Sequence, residues 1–159
     1  MTNEKFAATM DDIGPSFLYG GRYNPPQEFG VLYLSVSKEC AFKEKLRQVK
    51  GRKDNLLPQV AASFDVKIVR ALNLLDAAVL EKIGVIQEDL IRNNDFFVPQ
   101  SVAREARNVG FEALITFSAV GEECCNLVVF KDRLAPPSFC LFNPNTLKPY
   151  PTVSRHGVE

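Results

Sequence analysis

The residues of this chain that could do chemistry without a histidine or a metal are an arginine, a glutamate and a serine. Arg22 lies in the loop GGRYNPP, where glycines let a ligand approach the backbone and a guanidinium can present two donors to a diphosphate. A solvated turn arginine is the alternative interpretation. Glu44 falls in a predicted helix, about 160° around the axis from the apolar Phe42. This position is typical both of solvated surface and of the lip of a cleft.

Ser118, Asn126 and Tyr33 stand at or in predicted strands. Ser118 follows the strand predicted at 112–117, and Asn126 begins the segment NLVVF. Strand ends commonly carry ligand-binding groups, whereas loop serines usually satisfy the backbone. Tyr33 lies inside the first predicted strand, where an aromatic core residue is the alternative to a ligand contact.

The rare residues exclude several kinds of site. The only histidine, His156, lies in an aperiodic segment, which argues against Ser-His-Asp and Cys-His catalysis. The four cysteines, at positions 40, 124, 125 and 140, show no C-x-x-C spacing. We therefore predict no metal site and no redox motif, and interpret the cysteines as small buried hydrophobic residues. No phosphate-loop or dinucleotide glycine fingerprint is present.

Composition limits the class of partner. The 159 residues carry 19 basic and 19 acidic side chains, so no uniform field favours direct nucleic-acid binding. Apolar residues make up 46% and charged residues 24%, as in a folded protein. The longest apolar runs are about six residues, too short to span a membrane. The first residues lack the pattern of a signal peptide, so we expect a cytoplasmic protein.

The order of predicted strands and helices that would position these residues indicates an α+β fold, with a mixed twisted sheet as core and flanking helices. We predict strands at 31–36, 64–72, 112–117, 126–131 and 138–142, and helices at 37–50, 77–83 and 99–109. A single domain over 1–159 is expected, with irregular termini at 1–16 and 143–159.

Two ordered motifs carry a family resemblance. The segment GGRYNPPQEFGVLYLSVSKECAFKE is similar to a G-G-R-[WYF]-N-P-x-G…YLS…A-x-x-E signature, and ARNVGFEALITFSAVGEECCNLVVF to a later A-x-x-x-G…S…N-L-V-x-F signature. Together they resemble the RES domain, the toxin of bacterial type II toxin–antitoxin pairs, over about residues 17–135. The resemblance implies an ADP-ribosyltransferase-like fold and cleavage of the nicotinamide–ribose bond of NAD⁺.

The resemblance also implies roles by position. Glu44 would stabilise the positive charge that develops on the ribose, and Arg22 would bind the diphosphate. Tyr33 would face the nicotinamide or ribose, while Ser118 and Asn126 would bind the carboxamide or orient Glu44. The implied catalytic residues are Glu44, Arg22 and Ser118, and the implied substrate-binding residues are Arg22, Tyr23, Asn24, Tyr33, Ser118 and Asn126. NAD⁺ would be a substrate, so no cofactor and no metal are expected.

The sequence leaves open which molecule accepts the ADP-ribosyl group, and only the resemblance implies a partner protein. Water would make the chain a glycohydrolase, phosphate a phosphorylase, and a protein side chain an ADP-ribosyltransferase. Family members generally carry a further upstream arginine, and residues 1–21 contain none, which keeps a catalytically inactive binding module as an alternative. The resemblance implies a separate Xre-type antitoxin that covers the cleft.

Overall fold

The computed structural model describes residues 1–151 and forms two β-sheets with surrounding helices. The strands are β1 (Thr2–Asn3), β2 (Leu32–Ser35), β3 (Gln59–Lys67), β4 (Ala71–Asn73), β5 (Ala113–Phe117), β6 (Cys125–Val129) and β7 (Phe139–Tyr150). The α-helices are α1 (Gly14–Tyr19), α2 (Lys38–Gln48), α3 (Ala77–Ile83), α4 (Gln87–Ile91) and α5 (Phe97–Asn108). The predicted α+β class is confirmed.

The two sheets differ in strand direction. The first has the order β1-β3-β7 and is antiparallel, and the second has the order β2-β6-β5-β4 with one parallel pair, β4 and β5. In the second sheet Ser35 pairs with Asn126, which in turn pairs with Thr116. Because directly opposite residues of neighbouring strands point to the same face, these three polar side chains form one row.

Local signals explain where the helices begin and end. The Ser37 hydroxyl accepts a hydrogen bond from the Cys40 amide at 3.1 Å and caps α2, as predicted. Asp76 caps α3 in the same way, accepting from the Ala78 amide at 2.9 Å. Gly84 ends α3 with a φ of 69°, a left-handed conformation that glycine adopts without strain.

The strand predicted at 64–72 is wrong in its bounds, because the chain changes sheets inside it. Residues up to Lys67 belong to β3 in the first sheet, and β4 starts at Ala71 in the second. Between them, the amides of Val69 and Arg70 donate to Glu112 Oε2 at 3.2 and 3.0 Å. These hydrogen bonds satisfy the backbone amides where the chain passes from the first sheet to the second. They replace the inter-strand hydrogen bonds that a continuous strand would have made there.

The prediction of irregular termini is wrong for both ends of the described chain. Residues 2–3 pair with β3, and α1 begins at Gly14, with Pro15 in its first turn. The segment from Asn143 continues β7, which pairs with β3 as far as Tyr150. β7 lies at the edge of its sheet, where the missing N–H of Pro149 is tolerated. His156 lies outside the described residues.

Two apolar clusters connect the layers. One packs α3, α4 and α5 against the second sheet, with Leu90, Ala103, Leu114 and Val128 among its buried members. The other contains Leu32, Val129 and Cys140, and joins the two sheets. The second sheet therefore packs against helices through one cluster and against the first sheet through the other.

Glu112 is a buried carboxylate that holds the crossing between the sheets. Besides the two amides above, it accepts hydrogen bonds from the Ser138 hydroxyl at 2.7 Å and the Ala135 amide at 3.3 Å. The Ser138 hydrogen bond is the largest influence on the pKa of Glu112, which lies below its usual value. The ionised carboxylate therefore stabilises the folded state.

We predict that Glu112→Gln lowers the free energy of unfolding by about 2 kcal/mol at pH 7, because an amide NH₂ would face a backbone donor. Urea denaturation measures this difference. A carboxyl with a lowered folded pKa contributes stability above its unfolded pKa and loses it as the pH falls through the folded pKa. The difference between wild type and variant should therefore shrink below about pH 4. The exposed Glu81→Gln on α3 is the matched control, and a pH-independent difference would contradict the assignment.

Candidate active site

The structure brings together Glu44, Ser118 and Asn126, which lie up to 82 residues apart in sequence. The Ser118 hydroxyl donates to Glu44 Oε1 at 2.5 Å, and Asn126 Nδ2 donates to the same oxygen at 3.3 Å. One carboxylate oxygen is thus fixed by two donors. The glutamate side chain is 24% exposed, so it is neither solvated surface nor core.

Ser35 is a member of this group that sequence reasoning missed. Its hydroxyl donates to Asn126 Oδ1 at 3.0 Å, which turns the amide nitrogen of Asn126 toward Glu44. The signal was present in the strand alternation, because Ser35 stands two residues after Tyr33 and therefore on the same face of β2. The side-chain row across the second sheet thus supports the carboxylate.

Arg22 is not a solvated turn residue. Its Nη1 donates to the carbonyl oxygens of Leu90 at 3.0 Å and Arg92 at 2.7 Å. Its guanidinium carbon lies 4.9 Å from the ring centre of Phe96. Burial is the main cause that lowers the pKa of Arg22 below its usual value. Arg22 also lines the cleft described below.

Tyr23 and Asn24 support the arginine loop from inside. Tyr23 is 2% exposed and its hydroxyl is hydrogen-bonded to that of Thr116. Asn24 is 0% exposed, and its Nδ2 donates to the carbonyls of Ser16 and Phe29. In this conformation Asn24 presents no atom to a ligand, contrary to the direct substrate contact that we predicted for it. Tyr23 borders the cleft described below, and its contact with substrate stays a prediction.

Tyr33 is anchored at its hydroxyl and is partly exposed. The hydroxyl donates to Asn24 Oδ1 and accepts from the Tyr23 amide, both at 2.9 Å. Burial of this end raises the pKa of Tyr33, which keeps the hydroxyl neutral and able to donate. A Cβ on Gly21 would lie 2.8 Å from the same hydroxyl, which explains the glycine there. Tyr33 as a whole is 41% exposed and lines the cleft.

A disulfide between Cys40 and Cys124 corrects the expectation that all four cysteines are free buried residues. It joins the first turn of α2, which carries Glu44, to the loop that follows Ser118. Cys125 and Cys140 remain free thiols. The pairing was not visible in the sequence, because the two cysteines are 84 residues apart and no short motif contains them.

Arg22, Tyr33, Glu44 and Asn126 border a cleft of about 1870 Å³ between α2, the arginine loop and both sheets. Ser118 is buried and does not line the cleft, so it acts on the site through its hydrogen bond to Glu44. The lining includes the cationic residues Arg22, Lys38, Lys45, Arg47 and Lys148 and the acidic residues Glu39 and Glu44. The formal net charge of the whole chain is zero, so positive charge is concentrated here. A cleft of this kind attracts an anionic ligand.

Within residues 1–151, no group of three or more His, Cys, Asp or Glu side chains could hold a metal ion. In the same part of the chain, no helix combines the length and the apolar character that crossing a membrane requires.

Comparison with known proteins identifies relatives of this chain. The sequence profile described as the RES domain matches residues 2–139. The structure resembles the crystal structure of the MbcT–MbcA toxin–antitoxin complex from M. tuberculosis, with a TM-score of 0.74 and 22% identity over 88% of this chain and 76% of that chain. At 22% identity this similarity shows a shared fold and nothing more. No curated protein matches the sequence.

We predict that Cys40→Ser lowers the free energy of unfolding by about 2–4 kcal/mol, because the disulfide restricts the unfolded chain. Dithiothreitol should destabilise the wild type to the same level and leave the variant unchanged in urea denaturation. Cys125→Ser, which removes a free thiol, is the control. Thiol titration of the denatured, unreduced protein should find two thiols, and four would refute the pairing.

Proposed function

Since this chain belongs to the RES domain family, we propose that it is the toxin of a bacterial type II toxin–antitoxin pair and degrades NAD⁺ by cleaving the nicotinamide–ribose bond. The observation that carries this proposal is the Glu44 carboxylate, fixed by Ser118 and Asn126 beside a cationic cleft. A held carboxylate is the group that glycosidic cleavage requires.

The lining of the cleft is complementary to two parts of NAD⁺, the diphosphate and the nicotinamide riboside. The diphosphate of NAD⁺ is anionic, and the cationic lining supplies complementary charge. The partly exposed Tyr33 offers a flat apolar ring surface for the nicotinamide or the ribose. Because the Tyr33 hydroxyl is already bonded to Asn24, the ring is held in place before the substrate binds.

The chemistry follows from charge development at the ribose. The bond between C1′ and the nicotinamide nitrogen breaks with its electron pair going to the nitrogen, and the ribose gains oxocarbenium character. The Glu44 carboxylate opposes that positive charge. A water oxygen then bonds to C1′, and its proton passes to Glu44 and on to solvent. Ser118 and Asn126 hold one oxygen of Glu44, which leaves the other for the ribose or the water.

The same site is compatible with other acceptors. Phosphate in place of water would make the reaction a phosphorolysis, and a protein side chain would make it ADP-ribosylation. We favour water or phosphate, because the proposed chemistry then needs no docking of a protein target beside Glu44.

We further propose a cytoplasmic location, where NAD⁺ is abundant, and a separate Xre-type antitoxin that covers the cleft. Tyr19 is 83% exposed and Val36 is 61% exposed, and both line the cleft. Exposed apolar side chains beside a binding site are typical of a surface that a partner covers. A covering partner would block substrate entry.

We predict that the purified protein releases nicotinamide from NAD⁺ and that Glu44→Gln lowers kcat by at least about 100-fold, because the amide cannot oppose the charge on the ribose or accept a proton. Chromatography of the products measures both. Glu81→Gln on α3 serves as the charge-matched control. No release by the wild type, with or without phosphate, would favour a binding module. Label from adenylate-labelled NAD⁺ on a protein band would favour ADP-ribosylation.

In cells, expression of the wild type should lower the NAD⁺ concentration before growth stops, and Glu44→Gln should do neither at equal protein level. Co-expression of a neighbouring Xre-type gene should restore both growth and NAD⁺. Enzymatic cycling assays of cell extracts give the NAD⁺ concentration over time. Growth arrest with undiminished NAD⁺ would contradict the proposed activity.

A further inference from the structure

The end of α4 and its connection to α5 contact two guanidinium groups of cleft-lining residues. Arg22 reaches this segment through the carbonyls of Leu90 and Arg92 and through the Phe96 ring. Arg47, on α2, reaches it through a hydrogen bond from Nη2 to Asn93 Oδ1. Both arginines line the cleft. Two long cationic side chains from distant segments are therefore directed to the same place by one short segment.

This arrangement leaves the two positive charges with only one nearby carboxylate, Glu44. Arg47 Nη1 lies 4.0 Å from Glu44 Oε2, at the limit of an ion pair. Within residues 1–151, no carboxylate lies within 4.0 Å of the Arg22 guanidinium. Arg22 donates to the carbonyl of Arg92, and Arg47 donates to the side chain of the next residue, Asn93, so the two guanidiniums are held at neighbouring points of one segment. Two like charges held near each other repel, and an anion between them would reduce that repulsion.

The position relative to Glu44 matches the covalent structure of a dinucleotide. Arg47 follows Glu44 by one helical turn, which is about 5 Å along the axis of α2. The first phosphate of NAD⁺ is attached through C5′ to the ribose whose C1′ reacts. A ribose bound at Glu44 would therefore have its phosphate within reach of Arg47.

We propose that Arg47 is a substrate-binding residue that pairs with Arg22 to hold the diphosphate of NAD⁺, and that Asn93 is its positioning residue. This inference rests on the proposed function for the identity of the substrate. The guanidinium presents its remaining donors to phosphate oxygens, while the Asn93 bond fixes its plane. A surface ion pair between Arg47 and Glu44 alone would contribute little and would not favour phosphate.

The test measures binding of ADP by calorimetry, because ADP carries the diphosphate and needs no turnover. Arg47→Gln should weaken ADP binding about 10-fold, and Arg47→Lys should recover part of it. Arg133→Gln, an exposed arginine outside the cleft lining, should bind as the wild type does. In turnover, Arg47→Gln should raise KM for NAD⁺ about 10-fold with kcat within about 2-fold, and Asn93→Ala should shift KM in the same direction by less.

The outcomes separate this inference from the proposed function. Unchanged ADP binding in Arg47→Gln, or no ADP binding by the wild type, overturns the inference. A fall in kcat at constant KM also overturns it, because Arg47 would then only orient Glu44. A wild type that releases no nicotinamide but loses ADP binding through Arg47→Gln supports the anion site and rejects the proposed activity. Nicotinamide riboside, which has no phosphate, should be cleaved equally by wild type and variant.

Discussion

The structure of this site depends on one interaction, the hydrogen bonds that Ser118 and Asn126 donate to a single oxygen of Glu44. A carboxylate beside a cleft needs such donors, because partial removal from water is unfavourable without them. The donors come from the end of β5 and the start of β6, and the acceptor comes from α2. The packing of the helix on the second sheet therefore decides whether the site exists.

Several independent features hold those segments in register. The Ser35–Asn126–Thr116 row fixes the polar face of the sheet, and the Cys40–Cys124 disulfide ties the start of α2 to the loop after Ser118. Thr116 also contacts the buried Tyr23, which connects the sheet to the arginine loop. Disulfides are uncommon in reducing compartments. If the protein is cytoplasmic, the covalent connection between α2 and the loop after Ser118 would therefore depend on the redox state.

Charge is organised around the same site. The chain as a whole is neutral, yet five cationic side chains and two carboxylates line the cleft. Two of the cations, Arg22 and Arg47, are oriented mainly by hydrogen bonds to the connection between α4 and α5, and Arg47 makes only a 4.0 Å contact with Glu44 in addition. Anchoring a guanidinium on carbonyl and amide oxygens leaves its charge available to a ligand, whereas an ion pair would neutralise it.

The sequence by itself determined what depends on short-range interactions. The Ser37 and Asp76 caps, the β2 strand and the α+β class follow from patterns within a few residues. The two motifs also identified Arg22, Glu44, Ser118 and Asn126 as candidates. Only the tertiary structure decided the enclosed positions of Tyr23 and Asn24, the split of 64–72 at Glu112, the extension of β7, the disulfide and the place of Arg47. The side chain of Asn24 is bonded within nine residues of its own position, in a loop whose path the sequence pattern did not reveal. The others depend on partners dozens of residues away, and a local pattern carries no information about which distant group will satisfy a buried polar atom or meet a thiol.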